Sequence, residues 1–369
     1  MKIEKVEVNK IAIPMVTSFR ISSWNITEKP TLIIKITTDN GIIAYGETSG
    51  FSYPFYKMET IDISLLALCK YVIPLVLHKE FKNTEELVEL LQQIKGCNFA
   101  KTGIENAFIA ARAIEKNVSL KRLIGGIKDK IPVGESIGIK DTIQETLEEV
   151  SLRLEQGFQR IKVKIKPGWD IQIIESIREE FGNIPLMVDA NSAYTLDHMD
   201  ILEAFDAYDL MMIEQPLADD DIVDHSILQK KIKTPICLDE SILSRHDARR
   251  AVYLDSCRVI NIKPVRVGGV WEGHRIHDYG AMNNIGVWCG GMGETTLGRA
   301  FNIALASLPH YIYPADMSPP SFLFTDDITT ETFTVDKKGY IDVPDVPGIG
   351  FTVDEKKVKK YTVEKFEFI

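Results

Sequence analysis

The sequence has no uninterrupted apolar run long enough to span a bilayer, which excludes an expectation of a transmembrane helix. The opening Met1-Lys2-Ile3-Glu4-Lys5 is charged and alternating, and lacks the apolar stretch of a secretory signal. Cysteine is sparse: Cys69, Cys97, Cys237, Cys257 and Cys289 are scattered, odd in number and without a CxxC pair. A disulfide framework is therefore not expected; buried free thiols in a reducing cytoplasm are. An excess of positive charge is missing too. A net charge of −10 on a globular composition argues against nucleic acid as a partner. No low-complexity segment interrupts the 369 residues.

What is present is core-forming material. Hydrophobic residues make up 45% of the chain, enough for a large core and more than one domain. Val6, Val8, Ile11 and Ile13 alternate as in a strand, and residues 31–38 and 41–47 flank Asn40-Gly41, a hairpin turn signal. Residues 58–77, 84–95 and 98–117 carry helical spacing, and Gly125-Gly126 interrupts the pattern. This predicts an α+β domain over 1–125. Strand-like runs then recur at 131–137, 160–165, 186–189, 210–214, 236–239, 259–263, 287–289 and 311–313. Helical segments fall between them at 142–156, 170–181, 196–207, 221–231, 244–254, 268–283 and 295–307. Eight strands with seven intervening helices predict an α/β fold, a TIM-type (β/α)7β barrel over 126–324. The Thr-, Val- and Gly-rich segment 325–369 is expected to return to the first domain, which would cap the barrel.

Five residues mark this repeat almost evenly. Lys164, Asp189, Glu214, Asp239 and Lys263 are separated by steps of 25, 25, 25 and 24 residues, and each ends a strand-like run. That step is about the length of one βα unit, so the five would converge at the C-terminal end of a barrel. In Arg160-Ile-Lys-Val-Lys-Ile-Lys166 the period is two, placing Lys162, Lys164 and Lys166 on one face and Ile161, Val163 and Ile165 on the other. With the apolar face against outer helices, the lysines would point inward. Neighbouring ammonium groups disfavour each other's charge, which would lower the pKa of one or both and suit a lysine to act as a base. An isolated acid at a strand end reads as a helix N-cap, and Asp239 fits that reading. Three in successive units do not, and Glu is a poor N-cap. Gathered carboxylates repel unless a cation joins them, and hard oxygen ligands suit Mg²⁺, or Mn²⁺ in its place. Asn191 and Glu240 stand next to this set, either as outer-shell partners or as purely structural residues.

With these residues in this order, the chain resembles the enolase superfamily, muconate-lactonizing subgroup, over nearly its whole length. Within that group it is most similar to o-succinylbenzoate synthases and N-succinyl/N-acylamino acid racemases. The segments that carry the likeness are RIKVKIKPGWD (160–170), DANSAY (189–194), IEQPL (213–217), PICLDESI (235–242), NIKPVRVGG (261–269) and VWCGGMGETTLGRAFNIALASLP (287–309). The resemblance implies Lys164 as general base beside Lys162, Asp189, Glu214 and Asp239 as Mg²⁺ ligands, and Lys263 on the opposite face of a small carboxylate substrate. It also implies substrate contacts from Ser136, Asn191, Gly291, Met292 and Arg266, Glu240 in an outer shell, and a homo-oligomer. The reaction implied is dehydration of 2-succinyl-6-hydroxy-2,4-cyclohexadiene-1-carboxylate for menaquinone synthesis, through an enediolate; the alternative is N-succinylamino acid racemisation with both lysines transferring protons.

Arg266 admits two readings: it lowers the pKa of Lys263, or it sits on the rim bound to a carboxylate. Residues 15–25 and 48–57 correspond to mobile family loops, and Phe19, Arg20, Trp24, Phe51, Tyr53 and Tyr56 line the pocket or pack between domains. No His occurs in 287–292, which disfavours a mandelate-racemase-type base, and Ala315-Asp316-Met317-Ser318 lacks the DxD of dipeptide epimerases. His274 and His277 read as a solvated helix face. Gly293, Thr296 and Pro319-Pro320 depart from the family pattern near the substrate's side chain.

Overall fold

A computed structural model describes residues 1–369. In the N-terminal part, β1 (Ile3–Ile11), β4 (Thr31–Thr38) and β5 (Ile43–Ser49) form an antiparallel sheet whose outer strand is β15 (Thr362–Phe368), in the order β15-β1-β4-β5. The predicted turn joins β4 to β5, with Gly41 at φ +78°, a backbone angle that glycine adopts without strain. Val6 and Val8 of β1 point into the core at period-two spacing, and Ile11 joins them after a register shift between Lys10 and Ile11. The long helix Asn98–Glu115 lies on this sheet where Gly46 faces Gly103; a Cβ on Gly46 would collide with the Gly103 carbonyl, so the close approach needs glycine there. Two very short strands, β2 (Phe19–Arg20) and β3 (Asn25–Ile26), make a hairpin within the first predicted loop.

The barrel follows. Its strands are β6 (Lys130–Ile137), β7 (Ile161–Lys164), β8 (Leu186–Asp189), β9 (Ile213–Glu214), β10 (Ile236–Leu238), β11 (Val259–Ile262), β12 (Gly286–Cys289) and β13 (Ala315–Asp316), all parallel in sequence order, with β13 returning to pair with β6. Only a single bridge, Val287 to Tyr311, links the β12 side to the approach of β13, so the barrel is nearly closed. β7, β8, β9, β10, β11 and β12 are buried at every position, which is why they read as short apolar runs with no solvent face. Helices between them start on side-chain caps: Thr142 before Ile143–Glu155, Asp170 before Ile171–Phe181 and Ser244 before Arg245–Leu254.

The expected eight-stranded barrel with an antiparallel cap is the fold observed. Two local expectations are corrected, and one short element is added. The eighth strand is Ala315–Asp316 rather than 311–313, because only there does the chain reach the β6 ladder. The helix expected over 196–207 is broken into Leu196–His198, Met199–Ala204 and Phe205–Tyr208. A one-turn helix, Pro264–Val267, follows Lys263 directly, before Gly268 and Gly269 turn the chain. Beyond residue 325 the chain does two things: β14 (Tyr340–Asp342) adds antiparallel to β6, and β15 pairs with β1. No helix is long and apolar enough to cross a membrane.

Candidate active site

Register brings Lys164, Asp189 and Glu214 side by side and leaves Asp239 two residues further on. Lys164 on β7 is the Cα partner of Asp189 on β8, Asp189 is the partner of Glu214 on β9, and Glu214 is the partner of Cys237 on β10, two residues before Asp239. Lys162, Lys164, Asp189, Glu214, Asp239 and Lys263 are all buried. Lys164 Nζ donates to Asp189 Oδ2 at 2.6 Å and to Asn191 Oδ1 at 2.8 Å. Lys162 Nζ lies 2.9 Å from Glu214 Oε2, 2.6 Å from Asp316 Oδ2 and 3.4 Å from Asp189 Oδ2. Lys263 Nζ donates to Asp239 Oδ2 at 2.7 Å, and Tyr56 OH donates to the same oxygen at 3.1 Å.

At Lys162 and Lys263 these pairings act in the direction opposite to a cationic neighbour. Burial opposes charge on Lys162, yet Asp316, Glu214 and Asp189 outweigh it and raise its pKa above the ordinary lysine value. Lys263 is likewise raised: burial works against its charge, while Tyr56 and then Glu214, Glu240 and Asp189 favour it. Arg160 does lower Lys162, but the three carboxylates outweigh it together with the cost of burial. Asp189 shows the complementary effect, held well below the usual carboxylate range by Lys164 and Lys162 against the cost of burial. The flanking lysines share in balancing the acids. Each carboxylate is turned to an amine, and no three His, Cys, Asp or Glu side chains form a ready metal cage. The donor chemistry still fits such an ion: three fully buried hard-oxygen ligands stand at consecutive strand ends.

A cavity of about 190 Å³ opens above this cluster. Ser136, Lys162, Lys164, Asn191, Lys263, Gly291 and Met292 line it. Arg266 does not. It is fully buried behind Asp239, ion-paired to that carboxylate, with Nε donating to the Ile242 carbonyl at 2.8 Å and Nη2 to the Asn261 carbonyl at 2.5 Å. Its bond to a carboxylate agrees with the second reading, but its place is behind the site and not on the rim. Glu240 is also behind the site, accepting from Asn191 Nδ2 at 3.0 Å, and burial with the neighbouring Asp189 charge pushes its carboxyl up to about 7. Lys166, expected inward, is only half-buried, because β7 ends at Lys164 and the chain turns there. His277 is buried rather than solvated: its ring stacks on Tyr311 and its Nε2 accepts from the His310 amide at 3.0 Å.

Several groups in or behind the site escaped the sequence reading. Asn261 Nδ2 donates to Glu214 Oε1 at 2.6 Å, and its position two residues before Lys263 on one strand was the available signal. Asp316 binds Lys162 and, at 2.5 Å, Arg160. Arg160 shares the lysine face by the same period of two. Lys29, Glu135 and Arg299 line the cavity from distant segments and had no local signal. From the two loops, Phe19, Phe51 and Tyr56 reach the cavity, while Trp24 stacks on Tyr53 at 4.3 Å between ring centroids.

Parallel barrel, antiparallel cap and lysine–carboxylate rim have a common counterpart. The mandelate racemase/muconate lactonizing enzyme N-terminal domain matches residues 3–125, and the enolase C-terminal domain-like family matches residues 145–357. The chain belongs to the enolase superfamily. An o-succinylbenzoate synthase of Geobacillus kaustophilus is 43% identical over 98% of this chain and 96% of its own. An N-succinylamino acid racemase of Amycolatopsis is 39% identical over 99% of each chain. A solved enolase-superfamily structure from Listeria innocua superposes with a TM-score of 0.96 at 40% identity, covering 100% of this chain and 99% of that one. This superfamily member thus shares both its domains with enzymes of two reaction types.

Proposed function

We propose that this enolase-superfamily enzyme is an o-succinylbenzoate synthase. It dehydrates 2-succinyl-6-hydroxy-2,4-cyclohexadiene-1-carboxylate, a step toward menaquinone. The observation that carries the reading is the pair of cavity lysines: Lys164 at the end of β7 and Lys263 just after β11 face one space, with β8, β9 and β10 between the two strands. The o-succinylbenzoate synthases among its full-length relatives support the choice of substrate.

In its amine form Lys164 takes the proton on the carbon next to the substrate's carboxylate. The ring hydroxyl then leaves, and Lys164 returns the proton to it, so water departs as the ring becomes aromatic. Asn191, bonded to both Lys164 and Glu240, holds the Lys164 amine in place. Lys263, kept cationic by Asp239 and Tyr56, faces the substrate as positive charge. Asp189, Glu214 and Asp239 would hold Mg²⁺, which when bound lends charge to the substrate carboxylate as enediolate character develops; pairing a lysine base with Mg²⁺ is a general property of the superfamily.

The two-lysine arrangement also supports a second reading, racemisation of N-succinylamino acids, in which Lys263 delivers a proton to the face opposite Lys164. The test is direct. Purified enzyme with Mg²⁺ is given the cyclohexadiene substrate, with aromatic product followed by ultraviolet absorbance, and in parallel N-succinylamino acids in D₂O, with α-deuterium followed by NMR. Product formation supports the first reading; exchange without product leaves only the second; neither overturns both.

A further inference from the structure

Five cations line the cavity, and four of them are ion-paired: Lys162 to Glu214 and Asp316, Lys164 to Asp189, Lys263 to Asp239, and Arg299 to Glu294. Lys29 is the exception. It is 4% exposed, yet its ammonium bonds only to Ser49 Oγ at 2.7 Å and to the Gly50 carbonyl. An ammonium has three donors, so one remains for whatever enters the cavity. The surroundings are apolar on one side, with the Phe51 ring centroid 4.7 Å from Nζ. Ser49 Oγ in turn donates to the Met292 carbonyl at 3.1 Å, which fixes the lysine head against the cavity wall. Gly293 makes room for the stem: a Cβ there would lie 3.1 Å from Lys29 Cε and 2.8 Å from Leu323 Cδ2, and its φ of +67° is a glycine angle. A buried cation without a counter-ion is costly, and a site keeps one where a ligand supplies the missing charge.

We infer that Lys29 receives the distal carboxylate of the substrate's succinyl arm and makes the cavity selective for dicarboxylates. This rests on the proposed function, in which both candidate reactions act on succinyl compounds. The reacting carboxylate belongs to the strand-end cluster. Lys29 instead approaches from the cap, on the segment just before β4, so the two charges of a dicarboxylate would be read by different domains.

The test is calorimetric titration of the Mg²⁺-loaded enzyme with o-succinylbenzoate and with its monoamide, blocked on the succinyl carboxylate. Wild type should prefer the dianion by tenfold or more, Lys29→Met should lose most of that preference, and Lys29→Arg should retain it. A Lys29→Met variant with undiminished preference overturns the inference, as does a wild type that binds both compounds equally. A wild type that binds neither overturns the functional reading instead. Succinate alone, titrated against wild type and Lys29→Met, then decides Lys29: weaker binding by the variant upholds it and equal binding overturns it.

Discussion

Two walls of the same cavity bury charge in opposite ways. At the strand ends, Lys162 is raised above an ordinary lysine and Asp189 lowered below an ordinary carboxylate, so ion pairing outweighs burial. On the cap side burial dominates. It brings the Lys29 amine down to about 8, with Glu294 and Glu47 opposing too weakly, and pushes the Glu47 carboxyl up to about 8 despite its bonds to Thr295 and Gly298. The difference is distance set by architecture. Parallel strands place side chains of neighbouring units at matching heights, so amines and acids meet within hydrogen-bond reach. Lys29 and Glu47 come from the cap, outside the barrel's ladder, and form no ion pair. The strand-end wall is balanced within itself, while the cap wall is left to be balanced by a ligand.

The largest effect that would break this contrast lies in catalysis. Lys164→Ala should reduce turnover by about 10³-fold or more, the scale of a lost general base. Steady-state rates on the substrate identified above check this, and unchanged turnover would remove Lys164 from its role. Next comes stability. Lys162→Met strands Glu214, Asp316 and Asp189 without their shared ammonium, and urea unfolding should show a loss of about 3–5 kcal/mol. The same chemical change at Lys29 should have the opposite sign: with no ion pair to break, Lys29→Met at pH 7 should be more stable by about 1–3 kcal/mol. Destabilisation of similar size at both positions would erase the distinction between the walls.

The smallest effect is a pH slope. The Lys29 amine sits at about 8 in the folded state, against 10.5 in the unfolded chain. Between those values the unfolded state holds a proton that the folded state has released. The stability linked to this group is therefore complete above about 10.5 and is lost as pH falls through about 8. Wild type should gain on Lys29→Met as pH rises through that window in urea titrations at matched ionic strength. A constant difference between the two proteins across it would contradict the folded-state value.

Much of the barrel was legible because its signals are local. The apolar strand runs and the steps of about 25 residues located seven of the eight strands and put the lysines and acids at their ends. The eighth strand was misplaced because Tyr311 and Tyr313 look more strand-like than Ala315–Asp316, whose strand exists only through pairing with β6. In the site, periodicity placed Lys162 and Lys164 inward but overextended to Lys166, since a period says nothing about where a strand stops. At Lys162 and Lys263 the shift runs upward for a similar reason. Lysines on one face are visible in a row of letters, whereas the carboxylates that answer them come from other strands.

Residue order by itself therefore determined the repeat, the face each side chain takes and the family to which the chain belongs, because periodicity and spacing are properties of neighbours along the chain. Tertiary structure alone decided which charges meet. Tyr56 reaches Asp239 across 183 residues, Arg266 withdraws behind it, and Lys29 enters from the cap beside Gly293, near Glu294 and Glu47 but ion-paired to neither. Those contacts depend on how two domains close over one another, and electrostatic energy depends on distances that only that closure sets.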